Sequence, residues 1–273
     1  MPAQFANLAG AATLTTREFQ LTGRIIDDLI AHGATGVVHG AAGTGKTYAV
    51  QASLERLRRD GQDRHLGVGV AAVTLAFPSR PSMRLVADEL LQALTGAAAP
   101  RSRNRFYLTA ALVEHLSGPQ RLIVIDEAQR LNGDCIELLR HLHDHPDTRF
   151  ALLYVGGDGC WEVLSREPML ASRVFRRLPF KKLPRDQVPA LMRTYHPIYR
   201  GDGRSVGGTD GGVDGGVDDA LLLEVDDGYG HGTLRNWAAF TQTAAMLCAE
   251  SGRDRLDNDV VANAYALLGG GLN

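Results

Sequence analysis

Cysteine is scarce in this sequence: 273 residues contain three, Cys135, Cys160 and Cys248, and none stand in a CxxC spacing. This argues against both a disulfide framework and a zinc site. No apolar run approaches the ~20 residues that would span a bilayer. The N-terminus has neither the basic start nor the long apolar block of a secretory signal. These absences predict buried, reduced thiols, no membrane partner and a cytoplasmic location.

The charge is unevenly distributed along the chain. Hydrophobic residues at 44% and charged residues at 22% are ordinary for a globular protein. The net charge of -2 combines +6 over residues 1–200, with 25 basic against 19 acidic side chains, and -8 over residues 201–273, with 4 against 12. A mildly basic front part with an acidic tail is compatible with nucleic-acid binding by one face.

Apolar runs and helical periodicities alternate through the first two thirds of the chain. The runs predict strands at 36–40, 66–76, 121–127, 149–157 and 174–180. Apolar residues spaced three and four apart predict helices between them at 48–59, 83–94, 106–116 and 134–143. This order predicts an α/β fold with a five-stranded parallel sheet covered by helices on both faces.

No strand signal remains after Pro184. Helical patterns at 185–195, 219–225, 233–250 and 257–268 predict a small all-helical domain, with Asp257 capping the last helix. The glycine- and aspartate-rich segment 201–219 is expected to be a flexible loop. We therefore expect an N-terminal extension at 1–20, an α/β core at 21–183 and a helical lid at 184–273.

The segment "GAAGTGKT" matches the phosphate-binding pattern G-x-x-x-x-G-K-[ST] at every fixed position. It follows an apolar strand and opens a helix, which is the context this motif requires. Backbone N–H groups of the turn would bind phosphates, Lys46 would neutralise the outer phosphates and the Thr47 hydroxyl would ligate Mg²⁺. The predicted ATP-binding residues of the turn are Gly40, Ala41, Ala42, Gly43, Thr44, Gly45, Lys46 and Thr47.

The segment "LIVIDEAQRL" is the expected partner of that turn. Four apolar residues form a buried strand that ends in two carboxylates. Asp126 would hold the Mg²⁺ shell, and Glu127 would orient and deprotonate a water for attack on the terminal phosphate. Two adjacent acids at the end of a buried strand carry a desolvation cost that a cation would offset. This favours hydrolysis of a nucleoside triphosphate.

Arginines supply the remaining candidates for phosphate contact. In "MLASRVFRRLPF", Arg173, Arg176 and Arg177 lie where a helix end leads into the last strand, and could reach a neighbouring subunit's phosphate as a finger in trans. In "GHGTLRNWAAF", Arg235 lies in the first turn of a helix and could contact the same phosphates. For each arginine, an ordinary solvated surface role is the alternative.

Together these motifs resemble those of the AAA+ ATPases: a Walker A "GAAGTGKT", a Walker B "LIVIDE", a basic "SRVFRR" and a sensor 2-like "GTLR". Within that superfamily, "IDEAQRL", "LLYVGGDG" and "LASRVFRRLPFKKL" look like the TniB, IstB and Mu phage B group of transposition ATPases, and like the related secretion-type A ATPases. The resemblance covers roughly residues 15–270.

The resemblance implies an ATP- and Mg²⁺-dependent homo-oligomer, a ring or a filament, on double-stranded DNA. It would recruit a transposase, with or without a target-selecting adaptor, and be cleared when ATP is hydrolysed. Glu127 and the trans finger Arg173, or Arg176, would then act in catalysis, and Arg235 would be sensor 2. Where the family usually has a polar sensor 1 residue, this chain has Gly157, so either Asp158 substitutes or hydrolysis is slow.

DNA contacts are expected from loops that would face the centre of such an assembly. Sequence-independent, salt-sensitive phosphate contacts by arginine are the expected chemistry. The candidates, each with solvated loop charge as its alternative, are Arg80, Arg84, Arg101, Arg103 and Arg105.

Two further functions stay open. One is a secretion-type ATPase that acts on a peptide or envelope partner, although that group usually adds membrane- or wall-binding segments. The other is a signalling module in which hydrolysis is incidental, which the displaced sensor 1 position favours.

Overall fold

A computed structural model describes residues 8–63, 70–96, 105–200 and 216–269. Two compact units are present. The first, here called the sheet unit, consists of Arg17–Ala41 and Lys46–Phe180. The second, the helical unit, contains the described residues of Met1–Thr16, Ala42–Gly45 and Lys181–Asn273.

Five parallel strands form the sheet, in the order β2-β3-β4-β1-β5. This confirms the predicted architecture, and four of the strands begin and end within one residue of the predicted bounds. Of the predicted strand 66–76, residues 66–69 lie outside the described residues and Val70 is not in the strand. The strands are β1 Thr35–Gly40, β2 Ala71–Ala76, β3 Arg121–Asp126, β4 Phe150–Gly156 and β5 Val174–Phe180.

The central strands are apolar throughout because both faces of the sheet are buried. Alternate residues of β3 and β4 enter opposite cores: Ile123 and Leu152 pack in one cluster, and Val124 and Leu153 in the other. All four side chains are at most 1% exposed. Burial of each stabilises the fold by roughly 1.5–3 kcal/mol before the entropy of ordering is subtracted.

Helices cover both faces of the sheet. Residues from α1 and α2 join one core, and residues from α3, α4 and α5 join the other. The sheet-unit helices are α1 Arg17–His32, α2 Lys46–Asp63, α3 Met83–Thr95, α4 Arg105–Leu116, α5 Gly133–Asp144, α6 Cys160–Leu164 and α7 Pro168–Ala171.

Helix α1 is absent from the sequence-based prediction, as are the short α6 and α7. Its apolar stripe is clear, because Leu21, Ile25 and Leu29 stand four residues apart and Ile25, Ile26 and Leu29 are buried. It packs so closely on β1 that a Cβ on Gly36 would lie 2.6 Å from Leu29 Cδ1. Tertiary packing therefore stabilises a helix whose amphipathic pattern the sequence-based prediction overlooked.

The helical unit has its own core around Trp237 and Phe240, both fully buried. As predicted, the side chain of Asp257 caps the last helix by accepting from Val260 N at 2.9 Å. Such a cap stabilises a helix by about 1 kcal/mol. The helices of this unit are α8 Val188–Tyr195, α9 Asp219–Val225, α10 Leu234–Glu250 and α11 Asn258–Leu268.

The predicted domain boundaries at 20/21 and 183/184 stay predictions. Most of the predicted loop 201–219, namely 201–215, lies outside the described residues. Within the part of the chain that the structure describes, no helix is long and apolar enough to cross a membrane.

A buried aspartate links α9 to α10. Asp226 is 5% exposed, and its Oδ1 accepts from Trp237 Nε1 and from Gly232 N, both at 2.8 Å. Asp226→Ala would leave two buried donors without an acceptor, and we expect it to lower the free energy of unfolding by about 3 kcal/mol. Urea unfolding followed by Trp237 fluorescence, in a Trp161→Phe background, measures this. Asp227→Ala, which removes an exposed ion pair with Arg185, is the matched control and should change little.

Candidate nucleotide-binding site

The carboxyl ends of the central strands meet at one edge of the sheet because the strands are parallel. The register pairs His39 of β1 with Gly156 of β4, and Ala76 of β2 with Asp126 of β3. The turn after β1, the acids after β3 and the loop after β4 therefore emerge side by side. Ligands of open α/β sheets bind at this edge.

The turn after β1 depends on glycine. Gly40 has φ 140°, and a Cβ there would overlap the carbonyl oxygen of Phe180 on β5. Gly43 and Gly45 also have positive φ, at 78° and 94°, which other residues rarely adopt. This backbone brings successive N–H groups into a loop before the N-terminus of α2, which is an arrangement suited to phosphate.

Lys46, the first residue of α2, lies folded over this turn. Its Nζ donates to the carbonyl oxygens of Gly40 and Ala41, each at 2.7 Å, and the residue is 8% exposed. Burial lowers the pKa of His39, which precedes the turn, and the positive charges of Arg177 and Lys46 lower it further. Neutral imidazole is therefore favoured there, so His39 adds no cation to the charge of Lys46 at neutral pH.

The two acids occupy different environments at the end of β3. Burial raises the pKa of Asp126, with the Glu127 charge adding to the effect, while the Glu127 N–H and Lys46 oppose it. The Glu127 backbone N donates to Asp126 Oδ1 at 2.8 Å. Glu127 has φ 55° and ψ 38°, a left-handed conformation that is unusual for a non-glycine residue and is often found at functional sites.

These residues fit a triphosphate with Mg²⁺. A Cβ at Gly40 would overlap the Phe180 carbonyl oxygen, and Asp126 is a half-buried carboxylate whose ionisation a cation would favour. Thr47 and Asp126 would hold the ion, which would neutralise phosphate charge. Among the described residues no group of three or more His, Cys, Asp or Glu could hold a metal. Mg²⁺ suits such a site because it is usually bound by one or two carboxylates together with phosphates and water.

Sequence reasoning missed Gln129 and Arg130 as site residues. Gln129 Nε2 donates to Glu127 Oε2 at 2.8 Å, and Gln129 Oε1 accepts from Gly157 N at 3.0 Å. Arg130 NH2 lies 3.4 Å from the same Glu127 oxygen, while its NH1 donates to the carbonyls of Phe77, at 2.9 Å, and Pro78. The only sequence signal was their position directly after the acid pair in "DEAQR".

Asp158, the predicted substitute for sensor 1, is exposed in the turn between β4 and α6. The position directly after β4 is Gly157, which has no side chain. Its N–H is bound by Gln129 instead. A role of Asp158 in binding phosphate stays a prediction.

The three arginines near β5 all make contacts within the sheet unit. Arg173 donates to Asp144 Oδ1 at 3.0 Å and to the Met169 carbonyl at 2.8 Å. Arg176 pairs with Asp28 at 3.0 Å, and Arg177 lies over the Trp161 ring, 4.6 Å from its centroid. Arg173 precedes β5, whereas Arg176 and Arg177 lie within the strand. All three are exposed, and their action in trans stays a prediction.

Of the other predicted contact residues, the structure describes Arg235, Arg80, Arg84 and Arg105. Arg235 is the second residue of α10 and is exposed; its backbone N donates to Gly43 O at 3.0 Å. Arg80 is exposed after β2, and Arg84, also exposed, pairs with Asp88 at 3.2 Å. Arg105 begins α4. Arg101 and Arg103 lie outside the described residues. The roles of all five DNA candidates stay predictions.

The chain has the P-loop AAA+ fold, which is defined by the strand order, the glycine-rich turn, the lysine and the acid pair. A helical C-terminal region follows it. A model of the AAA_22 family, described as an AAA domain, matches residues 30–164, just under half of the chain. No curated protein matches the sequence.

Solved structures of ORC and Cdc6 proteins share this fold. ORC2 of Aeropyrum pernix, in ADPNP and ADP complexes, is 17% identical with a TM-score of 0.66, covering 98% of this chain and 72% of that one. Cdc6p of Pyrobaculum aerophilum is 19% identical with a TM-score of 0.68, over 96% and 70%. ORC1 of Aeropyrum pernix, in complex with DNA, is 18% identical with a TM-score of 0.65, over 94% and 66%.

Removal of the lysine ammonium tests the site. We expect Lys46→Ala to lower the affinity for ATP by at least ~100-fold, because a charge-assisted contact to the outer phosphates is lost. Titration with a fluorescent ATP analogue measures the change. Lys181→Ala, which removes one of the other two lysines at an exposed position, is the control. Equal affinity in Lys46→Ala and wild type would refute the assignment.

Proposed function

We propose that this protein is an ATP-dependent, oligomeric, DNA-binding switch that hydrolyses ATP and acts in transposition by activating a transposase on target DNA. Binding of ATP would assemble the protein on DNA, and hydrolysis would release it. One observation carries the proposal. Lys46, Asp126 and a second carboxylate, Glu127, lie at the same end of the parallel strands.

Glu127 supports hydrolysis rather than simple nucleotide binding. Thr47 and Asp126 suffice to hold a cation beside phosphate, whereas Glu127 is a further carboxylate whose side chain is 44% exposed and open to water. A carboxylate beside the terminal phosphate can orient water and accept its proton. In this proposal the residue supplies the base, and Lys46 and Mg²⁺ balance the phosphate charge.

DNA is the partner we favour because of the fold relatives and the charge pattern. One similar structure is ORC1 in complex with DNA, and another is Drosophila ORC bound to DNA. In this chain, residues 1–200 carry the basic excess. The role in transposition rests on the likeness of "IDEAQRL" and "LASRVFRRLPFKKL" to the TniB, IstB and Mu phage B group.

Replacement of the proposed base separates binding from turnover. We expect Glu127→Gln to bind ATP as tightly as wild type, to lower kcat by at least ~100-fold and to accumulate as an ATP-bound oligomer, because the amide cannot take a proton from water. Phosphate release and analytical ultracentrifugation with ATP measure the two effects. Retained turnover would refute the role of Glu127.

The same variant tests DNA binding. We expect a duplex of arbitrary sequence to be retarded in a gel by Glu127→Gln with ATP, and much less without nucleotide. The affinity should fall steeply with salt, since phosphate contacts release counterions. Assembly with ATP but no retardation of duplex would favour the alternative function, an ATPase of the secretion or signalling type that acts on protein partners without DNA.

If Arg173 acts as a finger in trans, two inactive variants should complement each other when they are mixed. We expect Arg173→Ala to bind ATP normally but hydrolyse it at least ~100-fold more slowly. Mixing it with Glu127→Gln should restore part of the activity, because some interfaces then combine an intact Glu127 with an intact Arg173. Steady-state ATPase assays of the mixture measure this.

Arg166→Ala, an exposed change seven residues earlier, is the matched control. Normal turnover in Arg173→Ala would move the finger to Arg176 or Arg177. Two inactive variants that stay inactive when mixed would indicate that Arg173 acts within its own subunit.

A further inference from the structure

The Gln129 side chain connects two strand ends through one amide. Its Nε2 donates to Glu127 Oε2 at 2.8 Å and its Oε1 accepts from Gly157 N at 3.0 Å, so both polar atoms of the amide are used. Glu127 follows β3 and Gly157 follows β4, the adjacent strand. The amide therefore fixes the Glu127 carboxylate relative to the end of β4.

The end of β4 is shaped to admit this side chain. A Cβ at Gly156 would lie 2.5 Å from Gln129 Oε1 and would overlap Cys160 Sγ. A Cβ at Gly157 would lie 3.4 Å from Gln129 Nε2. The absence of a side chain at Gly156 thus leaves the space that the Gln129 amide occupies, whereas a Cβ at Gly157 would make only ordinary van der Waals contact.

The Glu127 side chain needs a contact of this kind to restrict its rotamers. It stands in a left-handed conformation just beyond the strand, and its side chain is 44% exposed, so little packing limits its rotamers. A misplacement of a catalytic group by about 1 Å can lower a rate ~100-fold. Arg130 also approaches Glu127, at 3.4 Å, but Gln129 makes the shorter contact.

We infer that Gln129 is a positioning residue for the hydrolytic carboxylate: it holds Glu127 in place from the end of β4, where the chain itself has no polar side chain. This rests on the proposed role of Glu127 in hydrolysis. Gln129 acts on the placement of the base and not on the affinity for ATP, because its two polar contacts are to Glu127 and to Gly157.

Gln129→Glu separates the two contacts of the amide. A glutamate has the same length and can still accept from Gly157 N, but it cannot donate to Glu127 and repels it. We expect kcat for ATP hydrolysis to fall ~10- to 100-fold in this variant. Gln129→Met, which has no polar amide and adds no charge near the phosphates, should lower kcat similarly while the Kd for ATP stays unchanged within about twofold.

Gln92→Glu is the matched control, because it makes the same chemical change at an exposed position of α3 in the same unit. Thermal unfolding of each variant verifies that it is folded, and Gln129→Met supplies the test should Gln129→Glu fail to fold. Wild-type kcat in Gln129→Glu would show that the amide merely ties β3 to β4 and would overturn the inference. A loss of ATP affinity parallel to kcat in Gln129→Met would overturn it as well.

Glu127→Gln serves as the reference that separates this inference from the proposed function. A slow Glu127→Gln together with a fully active Gln129→Glu would refute only the role of Gln129. A fully active Glu127→Gln would refute hydrolysis by Glu127 and the inference with it.

Discussion

The parallel arrangement of five strands is the constraint on which the site depends. Because all strands run the same way, the segments after β1, β3 and β4 emerge at one edge, where His39 is paired with Gly156 and Ala76 with Asp126. This collects a lysine, two acids and a glycine-rich loop from distant parts of the sequence. Burial of apolar side chains on both faces keeps that edge in place.

The charged residues at this end of the sheet, Lys46, Asp126 and Glu127, are held by different kinds of contact. Lys46 is nearly buried and donates to two backbone carbonyls, and Asp126 has a pKa raised by burial. Bringing phosphate and a divalent cation to such groups would replace solvation that the fold has removed. Glu127 differs because it is held by side chains, Gln129 and Arg130, rather than by burial. Different residues would therefore bind the ligand and position the base: Lys46 and Asp126 would bind the phosphate and the cation, and Gln129 and Arg130 contact Glu127.

The sequence predicted the sheet and the phosphate turn because their signals are local. The apolar strands, the spacing of "GAAGTGKT" and the acids after "LIVI" each lie within about ten residues, and four of the five strands were placed to within one residue. The Asp257 cap is another local signal that the structure confirms. Helix α1 was missed although Leu21, Ile25 and Leu29 stand four residues apart, which is a local signal of the same kind.

Contacts between distant positions were decided by the tertiary structure alone. The bond from Gly157 to Gln129 spans 28 residues, that from Arg173 to Asp144 spans 29, and that from Arg176 to Asp28 spans 148. The periodicity of the sequence does not predict such pairs, because they depend on which strands become neighbours and on where the packing leaves room for a side chain. The sequence by itself therefore determined the chemistry that the sheet edge carries. Only the folded chain decided which side chains hold that chemistry in position, since strand order is a property of the whole sheet.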